Sequence, residues 1–328
     1  MSPSELVRAT LAGAATPRPP YGFWTHYPGA DLDPDAIVRE TVAFARATRQ
    51  DFVKAMPNGL YATEDWGVRP DFSEIAGGGA AKVAATPITT PQDWARIRRL
   101  DPAAGALGRE LRHLALLVEA LGPDVPVLAT LFSPVTTARK LSAGAFGAHA
   151  GSHRHLVRAA LDEIAATTAA FSARAIALGC AGVFFAVQDA TASAGAEAWR
   201  ELGLAHDLAA LEGARGGWFN VLHMHGDDIA FDLLATYPVH ALNWHVGETP
   251  PTIAEYRAAG GRKPVLGGLR RTAITNADMG AIGADIDAAL AAEGGRGVLL
   301  SPGCVIRHPL DMAVLGRIAA RIRGEVPC

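Results

Sequence analysis

Cysteine is scarce: Cys180, Cys304 and Cys328 are the three in 328 residues. Thiols so few and so scattered rule out a disulfide framework and fit a reducing cytoplasm. An excess of charge of one sign is also lacking. Thirty Lys and Arg stand against 33 Asp and Glu, a formal net charge of -3, with no dense basic block. That leaves no electrostatic footprint for nucleic acid or an anionic membrane, and makes a small molecule the expected partner. No apolar run is long enough to cross a bilayer. The opening "MSPSELVRATLAGAATPRPP" contains an acidic residue and no continuous apolar stretch, so it does not read as a secretory signal. Residues 1–18 read instead as an extension ahead of one domain spanning residues 19–328.

Eight short apolar segments are bounded by Gly, Pro or Asp, the pattern of buried strands. They are "YGFWTHY" from Tyr21, "DFVKAMP" from Asp51, "VPVLATLF" from Val125, "AGVFFAVQ" from Ala181, "WFNVLHMH" from Trp218, "VHALNWHV" from Val239, "KPVLGGL" from Lys263 and "RGVLLSPG" from Arg296. Helical spacing fills most of the gaps. "DPDAIVRETVAFARATR" opens on Asp33 as N-cap with Pro34 at the first helical position, and "GSHRHLVRAALDEIAATTAAFSARAIALG" runs as one long helix to Gly179. Strands alternating with helices predict a parallel sheet, and eight such units predict an α/β (β/α)8 TIM barrel. The turn after the first segment, "THYPGAD", lacks the G-x-G-x-x-G of a doubly wound dinucleotide fold. Reactive groups in a barrel sit at the C-terminal ends of its strands. Long loops rich in small residues, "EIAGGGAAKVAATPITTPQDW" and "DATASAGAEAWRELG", are expected to flank that mouth.

The fifth segment ends in "LHMHGDD". Side chains alternate along a strand, so His223 and His225 share one side. Two imidazoles at that spacing can share a metal ion, but the pair alone is a weak signal, because histidines at strand ends more often serve as hydrogen-bonded core or substrate contacts. Cys304, in "LLSPGC" just after the eighth segment, tips the balance, because the eighth strand can face the fifth across a barrel mouth. His223, His225 and Cys304 then form a competent Zn²⁺ set with a fourth position open. In "NWHVGE", Asn243 and His245 share a face, making His245 a reserve ligand or a general acid/base. His26, after the first segment, and Tyr61, after the second, are further proton-transfer candidates. Trp24, Asn58, Glu64 and Asn243 are expected to line the substrate pocket. Asp227 and Asp228 are expected to cap the helix that follows. Cys180 precedes a strand, at the wrong end for chemistry.

These motifs, in this order, resemble the uroporphyrinogen decarboxylase superfamily, including its cobalamin-linked methyltransferase branch. "LHMHGDD" looks like the segment where His-x-Cys-Gly supplies two zinc ligands, and "LLSPGC" like the later Gly-Cys that supplies the third. "LFSPVTTARKL" and "GLYATEDWG" resemble the family's Gly-Pro-x-Thr segment and its Glu-containing loop. The resemblance implies a barrel with its site at the mouth. It also implies Zn²⁺ and methyl transfer to a thiol or similar small acceptor from a donor such as methylcobalamin, with monomers or a homodimer as the assembly. No Asp-x-His-x-x-Gly cobalamin motif is present, so a corrinoid would arrive free or on a separate protein. Two departures stand out. His225 replaces a cysteine, leaving a His, His, Cys site one positive charge and a stronger Lewis acid. "GFWTHYPGAD" lacks the arginines with which the decarboxylases bind porphyrinogen carboxylates. The competing expectation is a metal-independent decarboxylase or lyase in which His26, His245 and Tyr61 position an acidic substrate and transfer a proton.

Overall fold

Period-two alternation organises the centre of the molecule, whose computed structural model describes residues 1–27, 29–73, 81–194 and 196–325. Strands β1 (Val53–Lys54), β2 (Val127–Phe132), β3 (Gly182–Val187), β4 (Val221–Met224), β5 (Ala241–Trp244), β6 (Val265–Leu269) and β7 (Val298–Pro302) lie in chain order in one parallel sheet. Helices in the connections supply the crossovers that parallel neighbours require. Every residue of β2 to β7 is buried, as expected of strands covered on both faces. Leu128, Phe184, Val221, Ala241, Leu266 and Leu299 cluster within the curl of the sheet. Their chain neighbours Ala129, Val183, Leu222, Leu242, Val265 and Leu300 join the larger core against the helices.

Among the described residues the parallel sheet holds seven regular strands where the sequence predicts eight. The segment from Tyr21 makes one isolated parallel bridge, Tyr21 to Leu300. Leu300 N–H donates to Pro20 O at 2.8 Å and Gly22 N–H to Leu300 O at 3.1 Å. On its other side Asp51 N–H donates to Tyr21 O at 2.9 Å. The remaining donors turn to side chains: Tyr21 N–H to Asp51 Oδ2 at 3.0 Å and Phe23 N–H to Gln50 Oε1 at 3.1 Å. Side-chain acceptors thus replace the backbone ladder, and the segment remains extended without becoming a strand.

The helices follow their sequence signals closely. Asp33 caps Pro34–Thr48 by accepting from the backbone of Asp35 and Ala36. The long helix expected from Gly151 is broken at His153, which separates Phe146–Ser152 from Arg154–Ala177. Of the first expected mouth loop, residues 74–80 lie outside the described residues, and Lys82–Ala85 pairs antiparallel with Arg69–Asp71. Among the described residues no helix is long and apolar enough to cross a membrane.

The N-terminal residues take part in the fold. Helix α1 (Pro3–Leu11) starts with a reciprocal Ser2–Glu5 capping box. Val7 is fully buried and joins the inner cluster with Phe52 and Phe219, which precede β1 and β4. The Arg8 guanidinium lies 3.6 Å from the Trp218 ring centroid. This helix therefore closes the sheet at the ends where strands begin, opposite the ends where reactive groups are expected. Val7→Ala should lower stability by about 1–3 kcal/mol, read as a drop in urea midpoint at unchanged slope. An unchanged midpoint would show that α1 is not part of the cooperative unit.

Candidate metal centre

Four potential ligands meet at the C-terminal ends of β4, β5 and β7. His223 lies on β4, paired in register with Asn243 on β5. His225 follows β4, its backbone N–H held by Val187 O at 3.0 Å. His245 follows β5 and Cys304 follows β7. One ligand atom from each of the four lies within 4.8 Å of the others. His223 Nε2 is 3.4 Å from His225 Nδ1, and Cys304 Sγ is 3.8 Å from that same nitrogen.

Gly303 makes this approach possible. A Cβ there would stand 2.6 Å from His245 Cα and 2.7 Å from Trp244 O, both backbone atoms that cannot swing aside. The residue before the thiol must therefore have no side chain if the loop after β7 is to lie against the end of β5.

A hydrogen-bond chain sets the tautomer of His223. Asn243 Nδ2 donates to Leu266 O at 2.7 Å, so its Oδ1 faces His223 Nδ1 and accepts that N–H. Nε2 is left with its lone pair pointing at the other ligands. The ring is held flat against Phe184, with centroids 5.2 Å apart and an interplanar angle of 28°. His245 is 3% exposed, yet neither of its ring nitrogens has a partner, and such orphaned buried nitrogens suit metal ligation. Burial holds His223 well below the ordinary imidazole range, reinforced by His225 and His245. Burial and then Arg271 lower His225. Burial, His225 and Arg271 push His245 down to about 4. All three rings are neutral at neutral pH, the form that ligates a cation.

A cavity of about 290 Å³ opens beside the cluster, lined by Trp24, His26, Lys54, Phe184, Lys140 and Gln188 together with His223, His225 and Cys304. A larger open groove of about 740 Å³ runs between Phe231 and Tyr256 on outer helices, and it contains none of the four ligands.

The family model for uroporphyrinogen decarboxylase (URO-D) matches residues 25–322. The chain belongs to the uroporphyrinogen decarboxylase family. Among solved structures, a methyltransferase from Methanosarcina mazei is 18% identical over 99% of each chain, with a TM-score of 0.85. A putative vitamin-B12 independent methionine synthase from Listeria monocytogenes is 13% identical over 90% of this chain and 87% of that one, with a TM-score of 0.56. A B12-independent methionine synthase from Shewanella sp. W3-18-1 is 15% identical over 89% and 86%, with a TM-score of 0.54. At these identities the likeness is one of fold. No curated protein sequence matches the chain.

Within this family fold, the residues singled out by sequence divide into two groups. His223, His225, His245 and Cys304 converge, and Trp24 and His26 line the adjoining cavity. Asn243 lies behind His223 and orients it. The others lie off the cavity wall. Tyr61 donates its hydroxyl to Thr130 O at 2.7 Å, and its ring packs against Phe132 and Phe171. Asn58 accepts from Leu60 N–H and donates to Glu64, which pairs with Arg109 at 2.7 Å. These bonds shape the loop after β1. Asp228 accepts from Ser193 N–H, tying two loops together, while helix Phe231–Leu234 begins without a side-chain cap. Cys180 is buried before β3, its thiol pushed up to about 12 by burial. Sequence reasoning missed Lys54 and Lys140. The signal for Lys54 was a single charge at period two between Phe52 and Met56 in "DFVKAMP".

Burial, with Lys54 and His308 adding to it, pushes His26 down to about 4. Its ring is neutral in the folded protein but takes a proton below about 6.5 when unfolded. Its contribution to stability is thus complete above pH 6.5 and is lost as pH falls toward 4. His26→Gln should flatten the fall in urea midpoint across that window. An unchanged slope would show that His26 is not buried in its neutral form.

Proposed function

We propose that this chain is a zinc-dependent methyl-transfer enzyme of the uroporphyrinogen decarboxylase family, acting on a thiol or similar small acceptor. The observation that carries this reading is the convergence of three neutral imidazoles and one thiol, with both nitrogens of His245 lacking any protein partner. The donor set suits Zn²⁺, which takes His and Cys ligands in tetrahedral sites. His223, His225 and Cys304 would hold the ion, and His245 would be a reserve donor whose position the acceptor takes. Bound there, Zn²⁺ supplies Lewis acidity, lowering the pKa of an acceptor thiol or polarising an acceptor oxygen. The chain's own residues do the rest. Asn243 keeps the Nε2 lone pair of His223 aimed inward, Gly303 lets Cys304 approach, and Trp24 and His26 wall the acceptor from water.

The Tyr21 segment, bonded to β7 on one side and to Asp51 on the other, acts in this reading as the eighth strand that closes the barrel. The methyl group comes from a donor such as methylcobalamin, delivered free or by a separate corrinoid protein. Support comes from the Methanosarcina mazei structure, described as a methyltransferase, which shares this fold end to end.

Family membership favours a second reading, decarboxylation or lyase chemistry without metal, with His26 and His245 moving protons. A cavity of about 290 Å³ is at the small end for ligand pockets and argues against a macrocyclic substrate.

Elemental analysis separates the two. Protein purified under reducing conditions should carry one zinc per chain. His223→Ala and Cys304→Ala should each weaken zinc binding by more than roughly 100-fold, beyond the 10- to 100-fold typical of outer-shell changes. Asn243→Ala should fall within that outer-shell range. A zinc-free protein whose activity survives chelation would overturn the zinc reading in favour of the second.

A further inference from the structure

We infer that Thr25 and His308 are positioning residues that latch the loop bearing Cys304 to the Tyr21 segment, so that one metal ligand and the cavity wall are held as a unit. This deepens the proposed function and rests on that reading for the role of the Cys304 sulfur. The latch itself is a contact between two stretches of chain outside the four ligands.

Residues 303–311 run from β7 to helix Met312–Ile322 without forming helix or strand. Such a loop has no ladder to satisfy its backbone groups, so its course is set by whatever else bonds to it. Upstream of the thiol, Gly303 rests on the backbone of Trp244 and His245. Downstream, all the support comes from Trp24, Thr25 and His26. Ile306 N–H donates to Trp24 O at 3.1 Å, and Thr25 Oγ1 donates to Ile306 O at 2.9 Å. Among the described residues no other hydrogen bond reaches the backbone of residues 304–310. His308 Nε2 lies 2.8 Å from His26 O and 3.4 Å from Thr25 Oγ1. A carbonyl oxygen accepts, so Nε2 carries the proton and donates.

Burial makes this latch stringent. Thr25 is fully buried and Ile306 is 2% exposed, so a lost Thr25 hydroxyl would leave the Ile306 carbonyl desolvated and unpaired unless the loop moved toward water. Ile306 stands two residues beyond Cys304, close enough for that movement to reach the sulfur. A misplacement of about 1 Å is enough to loosen a ligand set. Trp24 and His26, on the other side of the latch, line the cavity. Sulfur and wall are therefore fixed by the same three bonds, and a displacement of either is felt by the other.

Alkylation of Cys304 in the metal-free full chain, followed by peptide mass mapping, tests the latch without turnover. Thr25→Val keeps the shape and removes the hydroxyl, and should speed Cys304 alkylation roughly tenfold, the equivalent of one lost hydrogen bond. Thr25→Ser should stay within about threefold of wild type because the donor is kept. His308→Leu changes a partly exposed side chain and should speed the reaction about threefold or more. Cys180, buried before β3, is the internal control: a merely structural effect would speed both thiols, whereas the latch affects Cys304 alone. Zinc affinity, read by chelator competition, should fall about 10- to 100-fold in Thr25→Val, as for other groups that hold a ligand in place. Unchanged Cys304 alkylation in both Thr25→Val and His308→Leu would overturn the inference. So would equal acceleration of Cys180, or zinc affinity untouched in a variant whose Cys304 reacts faster. A chain that takes up no zinc yet shows the Cys304-specific acceleration would keep the latch and overturn the metal reading alone.

Discussion

The contact between Gly303 and the backbone of Trp244 and His245 is the constraint on which the site depends. It lays the loop after β7 directly on the end of β5 and brings the Cys304 sulfur to 3.8 Å from His225 Nδ1. The strands on either side do the complementary work. In-register pairing of β4 with β5 puts Asn243 behind His223, and the bond from Asn243 to Leu266 O carries the orientation on to β6. Four potential ligands from three strand ends thus come together through the sheet's alternation and one missing Cβ.

Electrostatics give that point its character. Three imidazoles crowded in a desolvated space are kept neutral, so they arrive as electron-pair donors instead of repelling cations. A cation among the imidazoles would meet those lone pairs. The cavity beside them is lined by two ammonium groups, Lys54 and Lys140, with no ion-paired carboxylate among the described residues.

Much of this was legible in the sequence. Period two makes His223 and His225 neighbours, and the eight-segment pattern puts Cys304 within reach of them. The α/β architecture with a parallel sheet and the capped helix at Asp33 were equally plain, because each rests on short-range rules. What was hidden depends on tertiary partners. Tyr61, Asn58 and Glu64 read as pocket residues, yet their polar atoms are satisfied by Thr130, Leu60 and Arg109. The Tyr21 segment looked like a strand, but Asp51 and Gln50 took its donors. Residues 1–18 read as an extension, since nothing in a nine-residue helix shows that Val7 packs with Phe52 and Phe219 at the base of the sheet. Lys54 is hidden in the sequence because only the curl of the sheet turns a lone lysine of an apolar segment toward the cavity.

Zinc K-edge X-ray absorption on the purified protein tests the central claim most directly. A single sulfur at about 2.3 Å with two or three nitrogens at about 2.0–2.1 Å, and loss of the sulfur shell in Cys304→Ala, is the predicted result. A zinc shell without sulfur, or a shell unchanged in Cys304→Ala, would contradict the assignment of the His223, His225, His245 and Cys304 cluster as the metal centre.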